Sequence, residues 1–271
     1  MRALEQIERW PVANAAAAVV SADGVVASRG NAELGFRWAS VTKLFTATAT
    51  LVAAEEGVVD LDEPAGPPGA TVRHLLAHVS GLPFEGDRPI GRPGERRIYS
   101  NTGFDLLAGQ VADRAEMSFA AYLGAAVVEP LGLSATALEG RPSEGMRGPL
   151  ADLARLGREL LAPSVVAPET LAEATAVAFP GLAGVLPGIG RFDPNDWGLG
   201  FELRDGKSPH WTGTHNSPRT FGHFGGAGTF LWVDPEAGIA LAALTDRQFG
   251  DWALEAWPVL ADAVLDELSA G

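Results

Sequence analysis

Strand-like patterns stand at both ends of this chain and helix-like patterns fill its middle, which restricts the folds open to it. Ala15–Ser21 and Val25–Ser28 flank Ala22-Asp23-Gly24, whose Asp-Gly pair is hairpin chemistry. Beyond a change of pattern at Pro187–Pro194, Trp197–Leu203, Thr220–Phe224, Thr229–Val233 and Ile239–Thr245 read as strands, with a turn at Asp234–Gly238. Helices are predicted over residues 2–9, 40–56, 71–78, 102–114, 118–128, 150–162, 168–177 and 249–268. The expected class is α+β: an antiparallel sheet flanked by helices, with an all-helical subdomain inserted into it. The α/β part takes about 1–59 and 190–271 and the helical part about 60–189, within a single domain 1–271.

The chemistry concentrates first in Ala39-Ser-Val-Thr-Lys-Leu-Phe-Thr-Ala47. Ser40 stands where a helix begins and Lys43 follows one turn later on the same face. A hydroxyl at a helix N-terminus meets the positive end of the dipole, and a buried, neutral amine within reach can take its proton. Alone, the pair reads first as a helix cap and a solvated charge, since a lone S-x-x-K is a weak signal. Composition shifts the balance. Of 20 basic residues only Lys43 and Lys207 are lysine, and arginine cannot give up its proton.

Two further stretches carry polar groups suited to such a site. Arg97-Ile-Tyr-Ser-Asn-Thr-Gly103 holds Tyr99, a phenol able to relay a proton or act as phenolate, and Asn101, a carboxamide able to bind a substrate amide or cap the next helix. Phe221-Gly-His-Phe-Gly-Gly-Ala-Gly-Thr229 places His223 on a strand that runs into Gly225 and Gly226. Glycines there admit a substrate close to the backbone, and His223 offers positive charge or a donor.

In the order S-x-x-K, Y-x-N, H-x-G the chain resembles the serine β-lactamase and penicillin-binding-protein superfamily, nearest its class C branch with D,D-carboxypeptidases and esterases. The blocks Thr71–Pro83, Pro93-Gly-Glu95, Glu129–Leu133, Asp152–Arg155 and Asp234-Pro-Glu236 share the likeness. The resemblance implies a β-lactamase/transpeptidase-like fold, with Ser40 as nucleophile, Lys43 as its activator and Tyr99 sharing acid and base roles. It implies Asn101 on the acyl side chain, His223 in a position where relatives often carry lysine, and an oxyanion site from the amides of Ser40 and Gly226. The expected activity is a serine hydrolase acting on a small-molecule ester or amide, esterase before β-lactamase or D,D-peptidase. An acyltransferase using the same acyl-enzyme, or a non-catalytic sensor of the same fold, are the alternatives.

The remaining composition excludes other classes. A net charge of −14 repels nucleic acid and anionic membrane, so neither is an expected partner. No cysteine is present for thiol chemistry. His74 and His78 have the spacing of a two-histidine metal face but lack a following glutamate and a third ligand, so no metal is expected. No nucleotide or dinucleotide loop appears, and no cofactor is expected. The amphipathic N-terminus has no apolar signal core, which gives a cytoplasmic expectation.

Overall fold

The computed structural model describes residues 1–270. Six strands build the main sheet: β1 (Ala15–Ser21), β2 (Gly24–Gly30), β3 (Glu202–Leu203), β4 (Phe221–Gly225), β5 (Thr229–Asp234) and β6 (Ile239–Thr245). Their order is β2-β1-β6-β5-β4-β3, and every neighbouring pair is antiparallel. β1 pairs with β6 from Ala15 opposite Thr245 to Ser21 opposite Ile239, so the two ends of the chain meet inside the sheet.

Both faces of that centre are covered, which is why β1 and β6 are nearly continuous runs of alanine, valine and leucine. Ala16, Ala18 and Val20 face a core shared with the helix Leu150–Leu161; Ala17 and Val19 face another shared with the terminal helix Asp251–Ser269. Small residues let the first helix lie close: a Cβ on Gly157 would sit 3.3 Å from Ala240 Cβ and from a Leu231 methyl.

The helix Thr42–Glu55 is buried from Thr42 to Ala53, so the polar groups of Lys43 and of its threonines need partners inside the protein. Two of its threonines are satisfied within the helix, Thr48 donating to the Leu44 carbonyl at 2.7 Å and Thr50 to that of Thr46 at 2.8 Å. Thr46 donates to the Pro142 carbonyl at 2.6 Å, and Thr42 Oγ1 accepts from Met146 N at 2.9 Å. The helices Asn101–Ala115 and Phe119–Leu123, the second running into a π-turn at Gly124–Val128, pack around it. Ser118 caps Phe119–Leu123 and Thr71 caps the short helix Val72–Leu76.

Two segments depart from the sequence pattern. Trp197–Leu203 is strand only at Glu202–Leu203, because Gly200 takes φ +90° where a side chain would run into Ala47. Between residues 60 and 189 the helices are joined by short strand pieces. Arg97–Ile98 pairs in parallel with Gly184–Leu186, which forms a hairpin with Gly190–Phe192. Among the described residues no helix is long and apolar enough to cross a membrane.

Candidate active site

Residues Ala39–Val41 form a single 3₁₀ turn that leads into Thr42–Glu55. Ser40 does not cap either segment, which leaves its hydroxyl to a cavity it lines. The residue before it, Ala39, holds φ +47°, a conformation costly for any side chain. Three bonds hold the turn in place. Trp38 donates its amide to Met146 O at 3.0 Å and its indole N–H to Gly148 O at 3.0 Å, and its carbonyl accepts from Thr229 Oγ1 at 2.8 Å. Trp38 itself is fully buried, stacked on Phe45 at 5.0 Å, and supports the turn from behind.

Lys43 Nζ lies 3.4 Å from Ser40 Oγ, 2.6 Å from Asn101 Oδ1 and 2.8 Å from the Ser143 carbonyl. Burial lowers its pKa to about 7, against a weaker upward pull from Glu144 and Asp105. A neutral amine has two hydrogens and one lone pair. The two short contacts are to acceptors that can only receive a hydrogen, so they occupy both N–H bonds and turn the lone pair toward the Ser40 hydroxyl. The aromatic faces of Tyr99 and Phe104 lie 4.8 and 5.5 Å from the nitrogen.

Tyr99 is buried, and its hydroxyl lies 3.4 Å from His223 Nε2. Burial raises the phenol's pKa above its ordinary value, a bias that the neighbouring Ser40 hydroxyl only partly offsets. It is therefore a phenol at neutral pH, not the phenolate the sequence allowed. His223 departs from expectation as well. Burial first, then Lys43, depress its pKa to about 3, so it carries no positive charge. Its Nδ1 lies 2.6 Å from the Phe224 carbonyl and must donate there, which makes Nε2 an acceptor for Tyr99.

Asn101 is the first residue of its helix, and Ser100 is the cap, accepting from Gly103 N at 2.9 Å. Both ends of the Asn101 carboxamide are engaged: Oδ1 receives Lys43, and Nδ2 donates to Glu85 Oε1 at 3.0 Å. Glu85 in turn forms a two-pronged contact with Arg141 at 2.9 Å on each oxygen, and Arg141 also meets Asp105 at 2.5 Å. Hydrogen bonds from Arg141 and Asn101 hold the Glu85 carboxyl below its usual range. Glu85 and Arg141 carry no sequence signal, since they belong to irregular loops and meet across 56 positions.

His78 pins Tyr99. Its carbonyl accepts from Ile98 N at 2.8 Å and its ring Nδ1 from Ser100 N at 3.1 Å, so one residue fixes the backbone on both sides of Tyr99. The ring also packs on that of Tyr99 at 4.6 Å. His78 lies beyond the short helix at φ +57°, and His74 is engaged with Thr71 Oγ1 at 2.8 Å, so the two histidines do not form a metal face. No metal-holding cluster exists among the described residues.

Gly225 closes the arrangement. A Cβ there would fall 2.3 Å from the Trp38 carbonyl and 3.1 Å from Ser40 N, so only glycine lets β4 run against the Ser40 turn. Gly226 follows, with open space where its side chain would be. Ser40 and Gly226 both line two cavities. One, about 210 Å³, is apolar, walled by Phe84, Tyr99, Pro187, Phe224 and Phe249. The other, about 630 Å³, has both signs of charge, with Arg37 and Arg147 against Glu144 and Asp246.

The Beta-lactamase family model matches residues 5–265, and the chain belongs to that family. Its fold coincides with that of a β-lactamase (Mb2281c) from Mycobacterium bovis, at TM-score 0.97 and 56% identity, covering 98% of this chain and 99% of that one. In sequence it is 30% identical over 139 residues to penicillin-binding protein 4* of Bacillus subtilis, covering 39% of this chain and 31% of the relative. It is 28% identical over 148 residues to the D-alanyl-D-alanine-carboxypeptidase/endopeptidase AmpH of Escherichia coli K12, covering 41% and 38%. The matched stretches thus span about a third of these two relatives' length.

Proposed function

We propose that the chain is a serine hydrolase that forms an acyl-enzyme on Ser40 and cleaves a carboxylic ester. The observation that carries this reading is the stance of Lys43, a buried amine titrating near neutrality, with both hydrogens occupied and its lone pair free for Ser40. Lys43 takes the hydroxyl proton as Oγ attacks the carbonyl carbon. The amides of Ser40 and Gly226 receive the oxyanion. On collapse the leaving alkoxide takes a proton through the Tyr99 hydroxyl, which Lys43 replenishes. Lys43 is then neutral again and activates the water that releases the acid.

An ester is favoured over a β-lactam or a D-peptide for two reasons. His223 is neutral, so no fixed charge stands beside Tyr99 to grip a substrate carboxylate near the reacting carbon. The smaller cavity at Ser40 is apolar and suits an acyl chain. The relatives' names, a β-lactamase, a penicillin-binding protein and a carboxypeptidase, support acyl-enzyme chemistry without fixing this chain's substrate.

The test is intact-protein mass spectrometry beside product release, with p-nitrophenyl esters, a penicillin and a cephalosporin, on wild type and Ser40→Ala. The expected result is ester turnover reduced at least a thousandfold in the variant, with a wild-type adduct of acyl mass. Because neutral Lys43 is the base, kcat/KM falls as pH drops below about 7. Turnover unchanged in Ser40→Ala would refute the assignment and favour the sensor reading.

A further inference from the structure

A third cavity, of about 540 Å³, adjoins the apolar one and shares Phe84, Tyr99 and Pro187 with it. Its floor is apolar and open: Phe84, Ile90 and Val185, three of the chain's exposed large hydrophobic residues, all line it and are 52–55% exposed. Two exposed guanidiniums stand over this floor. Arg96 is held by a bond from Nη2 to the Ile90 carbonyl at 2.6 Å. Arg191 lies directly across the hairpin from Val185, and cross-strand partners present their side chains on one face. Arg97 also borders the cavity, but its guanidinium is buried and engaged with the carbonyls of Ala77, Ala178 and Phe179.

No carboxylate lines this cavity, and neither Arg96 nor Arg191 forms an ion pair among the described residues. In a chain with 34 acidic residues against 20 basic ones, two guanidiniums without an ion-pair partner beside an apolar floor are a specific local charge. The large cavity at Ser40 differs, since Glu144 and Asp246 line it together with its arginines.

Building on the acyl-enzyme reading, we infer that this groove receives the far part of an acyl chain that ends in a carboxylate. The substrates are then monoesters of medium-chain dicarboxylic acids. The methylene chain runs from Ser40 past Phe84 and Pro187 onto the Ile90–Val185 floor, and its terminal carboxylate meets Arg96 and Arg191.

The test compares p-nitrophenyl monoesters of succinic, adipic, suberic and sebacic acids with neutral p-nitrophenyl alkanoates of matched length. At one of the longer lengths the carboxylated ester is expected to exceed its neutral counterpart at least tenfold in kcat/KM. In Arg96→Gln/Arg191→Gln that ratio falls to about one. If Ser40-dependent turnover is present but the neutral ester matches or beats the carboxylated one at every length, the groove assignment is overturned and the hydrolase reading stands. If the ratio survives in the double variant, the two arginines are not the anion site and the inference fails. If no ester shows Ser40-dependent turnover, the reading beneath it fails as well.

Discussion

Lys43 and Lys207 are the two lysines of the chain, both are buried, and the fold treats them in opposite ways. Lys207 Nζ lies 2.8 Å from Glu202 Oε1 and 2.7 Å from the Asp196 carbonyl. Glu202 also accepts from Trp211 at 2.9 Å and meets His210 at 3.0 Å. Burial alone would raise the Glu202 carboxyl, but His210 and Lys207 together bring it down to about 2. Lys43 has amide and carbonyl oxygens around it and no carboxylate in ion-pair contact among the described residues. The carboxylates that reach it do so from a distance, so burial prevails. A full counter-charge fixes a lysine as a structural cation, whereas neutral oxygens leave it able to exchange a proton.

The largest effect that would break this comparison is at Lys43. Lys43→Arg installs a larger cation that cannot deprotonate, and kcat of the folded protein is expected to fall about a thousandfold or more in ester turnover, with some loss of stability because a permanent charge enters a buried site. Lys207→Met should do the reverse. It strands Glu202 in the interior, costing about 3 kcal/mol or more in denaturant unfolding, while the folded fraction keeps its kcat.

The sign of the pH dependence sharpens the same contrast. Glu202 has a folded pKa of about 2 against 4.5 ordinarily, so it contributes about 3 kcal/mol that is complete above pH 4.5. That contribution is lost as pH falls through about 2. The gap in stability between wild type and Lys207→Met should therefore narrow between those values.

His78 tests the positioning of Tyr99. His78→Ala leaves Ser100 N–H without its acceptor, a cost of about 1 to 3 kcal/mol. It should lower kcat about tenfold with KM little changed. His78→Asn restores an acceptor and tolerates φ +57°, so it should recover most of kcat. A His78→Asn variant no better than His78→Ala would remove the positioning role.

The smallest effect is at the rim. Arg141 lowers the Lys43 pKa and restrains Glu85 and Asp105, which raise it. Arg141→Gln should therefore move the acidic limb of the kcat/KM profile toward higher pH. A limb that stays put or moves down would show that the network does not reach Lys43.

Much of this was legible in the sequence, for reasons tied to particular residues. The alanine and valine runs of β1 and β6 and the apolar helix after Ser40 follow from burial on all sides, which periodicity reports directly. Ser40, Lys43, Tyr99, Asn101 and His223 were visible as residue types. Their states were not, because charge depends on surroundings: His223 is neutral and Tyr99 protonated owing to burial that no local pattern encodes. The scarcity of lysine pointed to a proton-exchanging amine, and Lys207 shows that the same scarcity also covers a structural ion pair. Glu85, Arg141 and the Tyr99 clamp at His78 are through-space arrangements of loop residues, outside the reach of spacing arguments.

Position 225 carries a consequence for how such a chain can change over time. Every replacement for glycine adds at least one carbon, and that carbon collides with the Trp38 carbonyl, which leads into the turn bearing Ser40, and with Thr229 Oγ1 on the neighbouring strand. The scaffold on either side is extensive and independent of this contact, from the β1–β6 pairing to the terminal helix. On the proposed mechanism, a lineage drifting at this one codon loses the oxyanion seat while keeping a folded, ligand-sized cleft. The shortest path from catalyst to receptor in this architecture is a single methyl group.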